Sequence, residues 1–104
     1  MLRSEETHLP VDSATVDIAI MAFVLHEVHH PVGFLMEVKR ILKPFGRLIV
    51  IDWEKKVEEK GPPFEERLPR EKAEEVFKKA GFEKIETNNL NLSHYEVIGE
   101  KGNI

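Results

Sequence analysis

The sequence predicts a single α/β domain, in which two parallel strands are joined by a crossover helix and followed by a helix and an antiparallel hairpin. Two apolar runs, at residues 16–25 and 47–53, each have the length and composition of a buried strand. Between them, residues 31–43 repeat apolar side chains at helical spacing. A strand, a helix and a strand connected by short turns form a βαβ unit, so the two strands should run parallel.

The first apolar run is the segment around which the other elements are arranged. Apart from Asp17 it has no polar residue, and we expect a strand from Val16 to Met21 or Ala22 that is covered on both faces. Such a strand needs hydrogen-bonding neighbours on both edges, because a bare apolar edge invites pairing with another chain. The sequence offers a partner for one edge only, so we expect the other edge to be free.

The rest of the chain divides at proline and glycine residues. Pro31 is a favourable first residue for the crossover helix, and Pro44 and Gly46 should end it. Pro69 opens a second amphipathic helix that Gly81 caps. Strands at 82–87 and 95–100 should pair across a turn at 88–91. The predicted organisation is a lead-in (1–15), a βαβ unit (16–54), a long loop (55–68) and a helix plus hairpin (69–104).

Composition excludes several classes of function. The 104 residues contain no cysteine, so disulfides, thiolate metal sites and cysteine nucleophiles are absent. The net charge of −4 and the lack of a basic block argue against nucleic-acid binding. No apolar stretch is long enough to span a bilayer and no signal peptide opens the sequence, so we expect a cytoplasmic protein without membrane contact. A charged content of 33% is compatible with a thermophilic source.

Three segments, at residues 9–17, 24–28 and 37–48, carry a resemblance to a known family. They read LPVDSATVD, VLHEV and EVKRILKPFGRL, and in this order and spacing they resemble the second half of a class I S-adenosylmethionine-dependent methyltransferase of the type 11 kind. The Ala80-Gly81-Phe82 turn is similar to a later turn of the family. The resemblance implies a partial Rossmann-like sheet, made of strands four to seven of the family order 3-2-1-4-5-7-6, with the seventh antiparallel.

The resemblance also implies which residues would form a site. Ligands of open α/β sheets bind at the carboxyl ends of the strands. The resemblance assigns five positions to the cofactor site: Glu5, Met21, Ala22, Phe23 and His26. Of these, His26 matches the family's histidine near the substrate side. Four others would lie on the substrate side: Asp52, Trp53, Glu54 and Arg67. Methyl transfer from a sulfonium depends mainly on positioning, so no catalytic side chain is assigned.

Two features of the family pattern are missing from the sequence. It has no G-x-G, the turn that lets the backbone approach the cofactor closely. Phe45 replaces the glycine that usually follows Lys-Pro. We therefore expect S-adenosylmethionine to bind the isolated chain weakly or not at all.

Other interpretations compete at three places. Residues 26–30 spell the zinc-protease string H-E-x-x-H, but Pro31 disfavours helical geometry at His30, so we interpret them as a solvated loop and predict no metal site. Asp17 is interpreted as a turn or capping group rather than a site residue. Trp53 either covers the end of the sheet or stacks on a ligand, and the sequence favours neither.

Two functions follow as expectations. The first is an S-adenosylmethionine-dependent methyltransferase, or a C-terminal fragment of one, that acts on an unknown acceptor and that we expect to be incomplete in isolation. The second is a non-catalytic α/β module that closes the free edge of strand 16–22 by homodimerisation or by pairing with a complementing chain.

Overall fold

The computed structural model describes residues 9–103 and shows a four-stranded sheet with two helices on one of its faces. The elements follow in this order: β1 (Val16–Ala22), α1 (Pro31–Ile41), β2 (Leu42–Trp53), α2 (Arg70–Lys79), β3 (Glu83–Asn89) and β4 (His94–Glu100). Two short 3-10 helices, Leu25–Glu27 and Phe64–Glu66, lie in the connections before α1 and α2. Within the described part of the chain, no helix has the length and apolar character needed to cross a membrane.

The strands are ordered β1-β2-β4-β3 across the sheet. β1 and β2 run parallel, with Ile20 opposite Ile49, whereas β4 is antiparallel to both β2 and β3. The predicted βαβ unit and hairpin are therefore confirmed, in the order that the resemblance implies for strands four to seven. Among residues 9–103, β1 pairs only with β2, so its outer edge is free as predicted.

Some boundaries differ from the predicted ones. Helix α1 ends at Ile41, and β2 begins at Leu42 rather than at Arg47, because the chain is already extended there. Strand β3 continues to Asn89, which pairs with Tyr95 of β4, so the turn falls later than predicted. Asparagine is a good turn residue, but here the ladder of hydrogen bonds to β4 outweighs that preference.

The core lies between the helices and one face of the sheet. β2 and β4 supply its sheet layer, with Leu48, Val50, Tyr95 and Val97 fully buried. Phe77 of α2 packs directly on Gly99 of β4, where an added Cβ would lie 2.6 Å from a ring carbon. Glycine at this position lets α2 approach the sheet closely. The remaining core residues come mainly from the helices: Phe34, Leu35, Val38, Ala73 and Val76.

The opposite face of the sheet is not covered by a helix. Ile18 and Ile20 of β1 are 57% and 64% exposed, and Ile49, Ile51 and Ile98 on the neighbouring strands are half-buried. The prediction that β1 is covered on both faces is therefore wrong for this chain. Both helices pack on the same face, since α1 and α2 contact each other as well as the sheet.

A partly buried ion pair on α1, between Glu37 and Arg40, fixes the segment that leads into β1. Glu37 accepts hydrogen bonds from the guanidinium of Arg40 at 2.6 and 2.9 Å and from the backbone N–H of Leu9 at 2.6 Å. Arg40 also donates to the carbonyl groups of Leu9 and Val11 and to the Ser13 hydroxyl. These contacts give the Glu-Val-Lys-Arg segment of the family pattern a structural role that the sequence did not reveal.

Candidate active site

The carboxyl ends of β1 and β2 meet at one edge of the sheet, which we call the carboxyl edge. Because β4 is antiparallel to β2, it begins at this edge with His94, which lies opposite Trp53. Phe23 follows β1 and donates its N–H to the Ile51 carbonyl at 2.8 Å. Its backbone then turns sharply, with a left-handed φ of 63°, and its side chain stays 43% exposed. The strand topology therefore brings three separate chain segments together at this edge.

His26 and Asp52 are in direct contact at the carboxyl edge. The Nδ1 atom of His26 lies 2.8 Å from Oδ1 of Asp52, and both side chains are nearly buried, at 5% and 1% exposure. The backbone N–H groups of His26 and Trp53 also donate to the Asp52 carboxylate, at 3.1 and 2.9 Å. The sequence analysis assigned His26 to the cofactor side and Asp52 to the substrate side. The structure places the two residues in one cluster.

Three aromatic rings form a second cluster beside this pair. The ring centroids of Trp53 and His94 are 4.3 Å apart, and Phe23 lies 5.2 Å from His94 and 5.9 Å from Trp53. Within the described residues, the Nε2 atom of His94 is buried and makes no hydrogen bond. His94 was not predicted as a site residue, because only the register of β4 against β2 places it here.

The loop after β2 packs against Trp53 and is fixed by Arg67. The Arg67 guanidinium is fully buried and donates to Pro62 O, Lys60 O and the Glu58 carboxylate at 2.6 to 2.9 Å, and to Glu54 O at 3.2 Å. It also lies 5.0 Å from the centroid of the Trp53 ring. These contacts are all within the loop and its base, so the structure shows Arg67 ordering the loop rather than pointing outward.

Gly61 explains how this loop comes so close to the tryptophan. An added Cβ at Gly61 would lie 2.9 Å from the Trp53 ring and 3.0 Å from Arg67, and its φ of 82° is left-handed. Both the space and the backbone conformation therefore require glycine. The loop and the aromatic cluster both pack against the indole. The two interpretations of Trp53, covering the end of the sheet and stacking on a ligand, both stay predictions.

The remaining predicted positions are spread around the edge. Ala22 is exposed and lies on the helix-free face, whereas Met21 is half-buried and packs against the core. The Glu54 carboxylate is bound by Arg70 of α2 at 2.6 Å. Glu5, which the resemblance assigns to the cofactor side, lies outside the described residues. Asp17 is 80% exposed at the opposite end of β1, 3.6 Å from the Lys43 ammonium.

The two histidines of the H-E-x-x-H string do not share a helix. His26 lies in the 3-10 helix Leu25–Glu27, whereas His30 is the N-cap of α1. A zincin site requires both on one face of a single helix. Among residues 9–103, no group of three or more histidine, aspartate or glutamate side chains is arranged to hold a metal ion.

Comparison with known proteins agrees with this geometry. A solved S-adenosylmethionine-dependent methyltransferase from Aquifex aeolicus superposes with a TM-score of 0.86 and 35% identity, over 92% of this chain and 51% of that one. A family profile described as a methyltransferase domain matches residues 1–50. The chain is similar to S-adenosylmethionine-dependent methyltransferases and matches part of their fold. A type 11 methyltransferase structure from Sulfolobus solfataricus, described as putative, matches with a TM-score of 0.77 and 27% identity, over 91% of this chain and 55% of that one.

Curated relatives of this methyltransferase-like chain match a shorter segment. A demethylmenaquinone methyltransferase from Protochlamydia amoebophila is 41% identical over 44 residues, which are 42% of this chain and 18% of that protein. A protein of the same name from Chlamydia trachomatis is 37% identical over 51 residues, 49% of this chain and 22% of its own length. The chain thus spans about half of the solved structures and carries only a short match to the curated proteins.

Ala22 and Phe23 present an exposed, mostly apolar surface at the carboxyl edge. The His26–Asp52 pair lies next to this surface and is nearly buried, with side chains 5% and 1% exposed. Among the described residues no strand pairs with the outer edge of β1. The sequence also has no Gly-rich turn.

Proposed function

We propose that this chain forms the acceptor-side part of an S-adenosylmethionine-dependent methyltransferase, with the cofactor at the carboxyl edge. The convergence of Phe23, His26 and Asp52 at the ends of two parallel strands is the observation that carries the proposal. Open α/β sheets bind their ligands at this place. When bound, S-adenosylmethionine would supply an activated methyl group to an acceptor.

In this proposal the described residues have separate tasks. Ala22 and Phe23 line the cofactor, and the buried Arg67 keeps the loop rigid beside it. A rigid wall favours transfer by holding the reacting groups in line. Because the sequence has no Gly-rich turn, binding to the isolated chain should be weak, with a dissociation constant well above the micromolar range.

Reduced naphthoquinones are the first acceptors to test. The curated relatives are named demethylmenaquinone methyltransferases, and an acceptor of that kind has a planar aromatic ring. The ring of Phe23 is exposed next to those of Trp53 and His94, so it offers an aromatic surface at the proposed site. Offset or edge-to-face contacts between such rings contribute about 0.5–1.5 kcal/mol.

A matched pair of variants tests the proposed site. Phe23 and Phe45 are both exposed phenylalanines with left-handed φ values of 63° and 64°, but Phe45 lies at the other end of the sheet. The affinity for S-adenosylhomocysteine, measured by NMR titration to millimolar concentration, should fall about three- to tenfold in Phe23→Gly. Phe45→Gly should bind as the wild type does.

Two results would contradict the proposal. The first is equal affinity of Phe23→Gly and Phe45→Gly for S-adenosylhomocysteine, which would show that the ligand does not bind at Phe23. The second is no binding of millimolar S-adenosylhomocysteine by the wild type, which would contradict a cofactor site at the carboxyl edge. Stoichiometric binding at micromolar concentration, measured by calorimetry, would instead show that the chain needs no Gly-rich turn to hold the cofactor.

The free edge of β1 supports a second candidate function, a homodimer in which two copies pair through this strand. Ile18 and Ile20 are more than half exposed on the strand whose outer edge has no partner in the described residues. Burying an isoleucine side chain contributes about 1.5–3 kcal/mol, so covering this edge would be favourable. We commit to a second copy of the chain as the partner, since a two-fold axis lets both edges pair at once.

Light scattering tests this candidate. The wild type should have the mass of a dimer at micromolar concentration, and Ile20→Lys should have the mass of a monomer because a charge on an edge strand opposes pairing. Leu92→Lys is the matched control: Leu92 is 86% exposed in the hairpin turn, so this variant should stay dimeric. A monomeric wild type would overturn the homodimer and leave a complementing chain as the alternative.

A further inference from the structure

The His26–Asp52 contact determines which nitrogen of the imidazole carries the proton. Asp52 Oδ1 lies 2.8 Å from His26 Nδ1, within hydrogen-bonding distance. An ionised carboxylate can only accept a hydrogen bond, so Nδ1 must donate, and in the neutral ring the lone pair is then on Nε2. The contact therefore orients the imidazole with a proton-accepting nitrogen on the side away from Asp52.

Asp52 is itself held in place by its surroundings. Its Oδ1 also accepts from the N–H of Trp53 at 2.9 Å, and its Oδ2 accepts from the N–H of His26 at 3.1 Å. The side chain is 1% exposed, so water does not compete for these bonds. A carboxylate fixed by three donors on two chain segments cannot rotate without leaving a buried N–H unpaired.

The second ring nitrogen of His26, Nε2, lies next to an exposed side chain. His26 Nε2 lies 3.8 Å from Oε2 of Glu27, a side chain that is 58% exposed. Within the described residues, Asp52 and Glu27 are the carboxylates within 4 Å of the His26 ring nitrogens. The adjacent Leu25 is 1% exposed and anchors the 3-10 helix that carries His26.

We propose that His26 is the proton acceptor of this site and that Asp52 is its positioning residue. The proposal rests on the proposed function, because it places a methyl acceptor at the carboxyl edge. An imidazole with a buried carboxylate at one nitrogen and a lone pair at the other is the arrangement that general-base catalysis uses.

The step balances without any further reactant. A lone pair of the acceptor atom forms the bond to the methyl carbon as the carbon–sulfur bond breaks, with its electron pair left on sulfur. The acceptor atom then gives up its proton, and Nε2 of His26 receives it. The resulting imidazolium is stabilised by the Asp52 carboxylate at 2.8 Å. Acceptors that carry a proton on the methylated oxygen, nitrogen or carbon belong to the class that this site serves.

The tautomer of His26 is the first test, and it needs neither cofactor nor turnover. Two-bond ¹H–¹⁵N NMR of the wild-type chain, with His26→Gln to assign the signals, distinguishes a proton on Nδ1 from one on Nε2. At a pH where the ring is neutral we expect the proton on Nδ1. A proton on Nε2 would overturn the proposal.

Chemical reactivity is the second test, since a proton acceptor must be reachable. Diethyl pyrocarbonate acylates the lone pair of a neutral imidazole, and mass spectrometry locates the adduct. His26 should react at Nε2, more slowly than the exposed His29. A His26 that stays unmodified while His29 reacts to completion would overturn the proposal.

Asp52→Asn tests the positioning role. An asparagine amide has one oxygen, so its NH₂ group faces either the backbone N–H of His26 or both Nδ1 and the backbone N–H of Trp53. In the first arrangement Nδ1 still donates, but to a neutral oxygen that accepts more weakly than a carboxylate and so orients the ring less firmly. In the second arrangement the proton moves to Nε2. The rate of His26 acylation should then fall at least about tenfold relative to that of His29. If Asp52→Asn does not fold, the tautomer and the acylation of His26 in the wild type still test whether His26 is the proton acceptor. An unchanged rate and tautomer in a folded variant would overturn the role of Asp52.

These outcomes separate the inference from the proposed function. Failure of S-adenosylhomocysteine to bind, with the expected tautomer and reactivity at His26, would contradict the methyltransferase proposal but not the oriented imidazole. Binding at the carboxyl edge together with a proton on Nε2 would keep the proposed function and remove His26 as its proton acceptor.

Discussion

Phe45 occupies a backbone conformation that suits glycine. Its φ is 64°, in the left-handed region, and its side chain is 60% exposed in the segment that leads into the paired part of β2. The next residue, Gly46, is buried and closely surrounded by the carbonyl groups of Lys43 and Asp17. In the sequence, Phe45 stands where the family usually has glycine. In the structure, this phenylalanine has a left-handed backbone conformation, which costs free energy in any residue other than glycine.

Two substitutions of Phe45 measure the free-energy cost of its left-handed backbone conformation. Phe45→Gly and Phe45→Ala both remove the phenyl ring, but only glycine adopts a positive φ without strain. We expect the glycine variant to be more stable than the alanine variant by about 1 kcal/mol, the reverse of the usual order within a strand. Urea denaturation of the two variants measures the difference. A more stable alanine variant would show that the left-handed conformation is not retained.

The hydroxyl group of the buried Tyr95 makes one hydrogen bond within the protein. Its ring is fully buried and its hydroxyl donates to the Leu68 carbonyl at 2.7 Å. Burial, and then the nearby Asp52 carboxylate, raise the pKa of Tyr95, so the hydroxyl stays protonated and keeps donating. This bond links β4 to Leu68, two residues before α2 begins.

Removing the hydroxyl leaves the Leu68 carbonyl without this donor. We expect Tyr95→Phe to lower the free energy of unfolding by about 1 kcal/mol, since the packing of the ring is otherwise retained. Chemical denaturation measures the loss. An unchanged free energy would mean that water or another donor replaces the hydroxyl.

The loop between β2 and α2 is ordered by charged groups rather than by apolar packing. The Glu58 carboxylate accepts from the Ser93 hydroxyl at 2.7 Å and from Arg67 at 2.6 Å, so it joins the loop to the hairpin turn. These bonds, Ser93 first and Arg67 second, hold the pKa of Glu58 below its ordinary value. These contacts fix the loop beside Trp53.

Acid should loosen this loop. A carboxyl group whose pKa is lower in the folded state contributes stability above its unfolded pKa, and that contribution is lost as the pH falls through the folded pKa. Between about pH 5 and pH 3 the unfolding midpoint of the wild type should therefore fall more steeply than that of Glu58→Gln. Parallel slopes in thermal melts over this range would contradict the role of Glu58.

At the level of elements, apolar patterning predicted the strands and helices well. Residues 16–22 and the βαβ connection follow from composition and proline placement alone. The prediction that both faces of β1 are covered is wrong for the described residues. An apolar run indicates that a strand is buried, but it does not indicate which chain segment packs on each face. The His26–Asp52 contact joins residues 26 positions apart, and His94 reaches the carboxyl edge through strand register. Neither contact has a local signal in the sequence.

The whole molecule is a sheet with one covered face, one helix-free face and a free β1 edge among its described residues. Its site residues lie at the carboxyl edge, next to that free edge. The same geometry therefore underlies both the weak cofactor binding and the homodimer that we propose. Covering the β1 edge with a second copy would place further side chains beside Ala22 and Phe23.

Mapping the contact surface of S-adenosylhomocysteine by amide NMR shifts tests the central claim most directly. The wild-type chain, titrated to millimolar ligand, should show its largest shifts at residues 21–26 and 52–54, the ends of β1 and β2. The pocket at the other end of the sheet, lined by Arg47, Lys84 and Gly99, serves as the internal reference and should not respond. Shifts confined to that pocket, or none at the carboxyl edge, would contradict the assignment of this edge as the methyltransferase site.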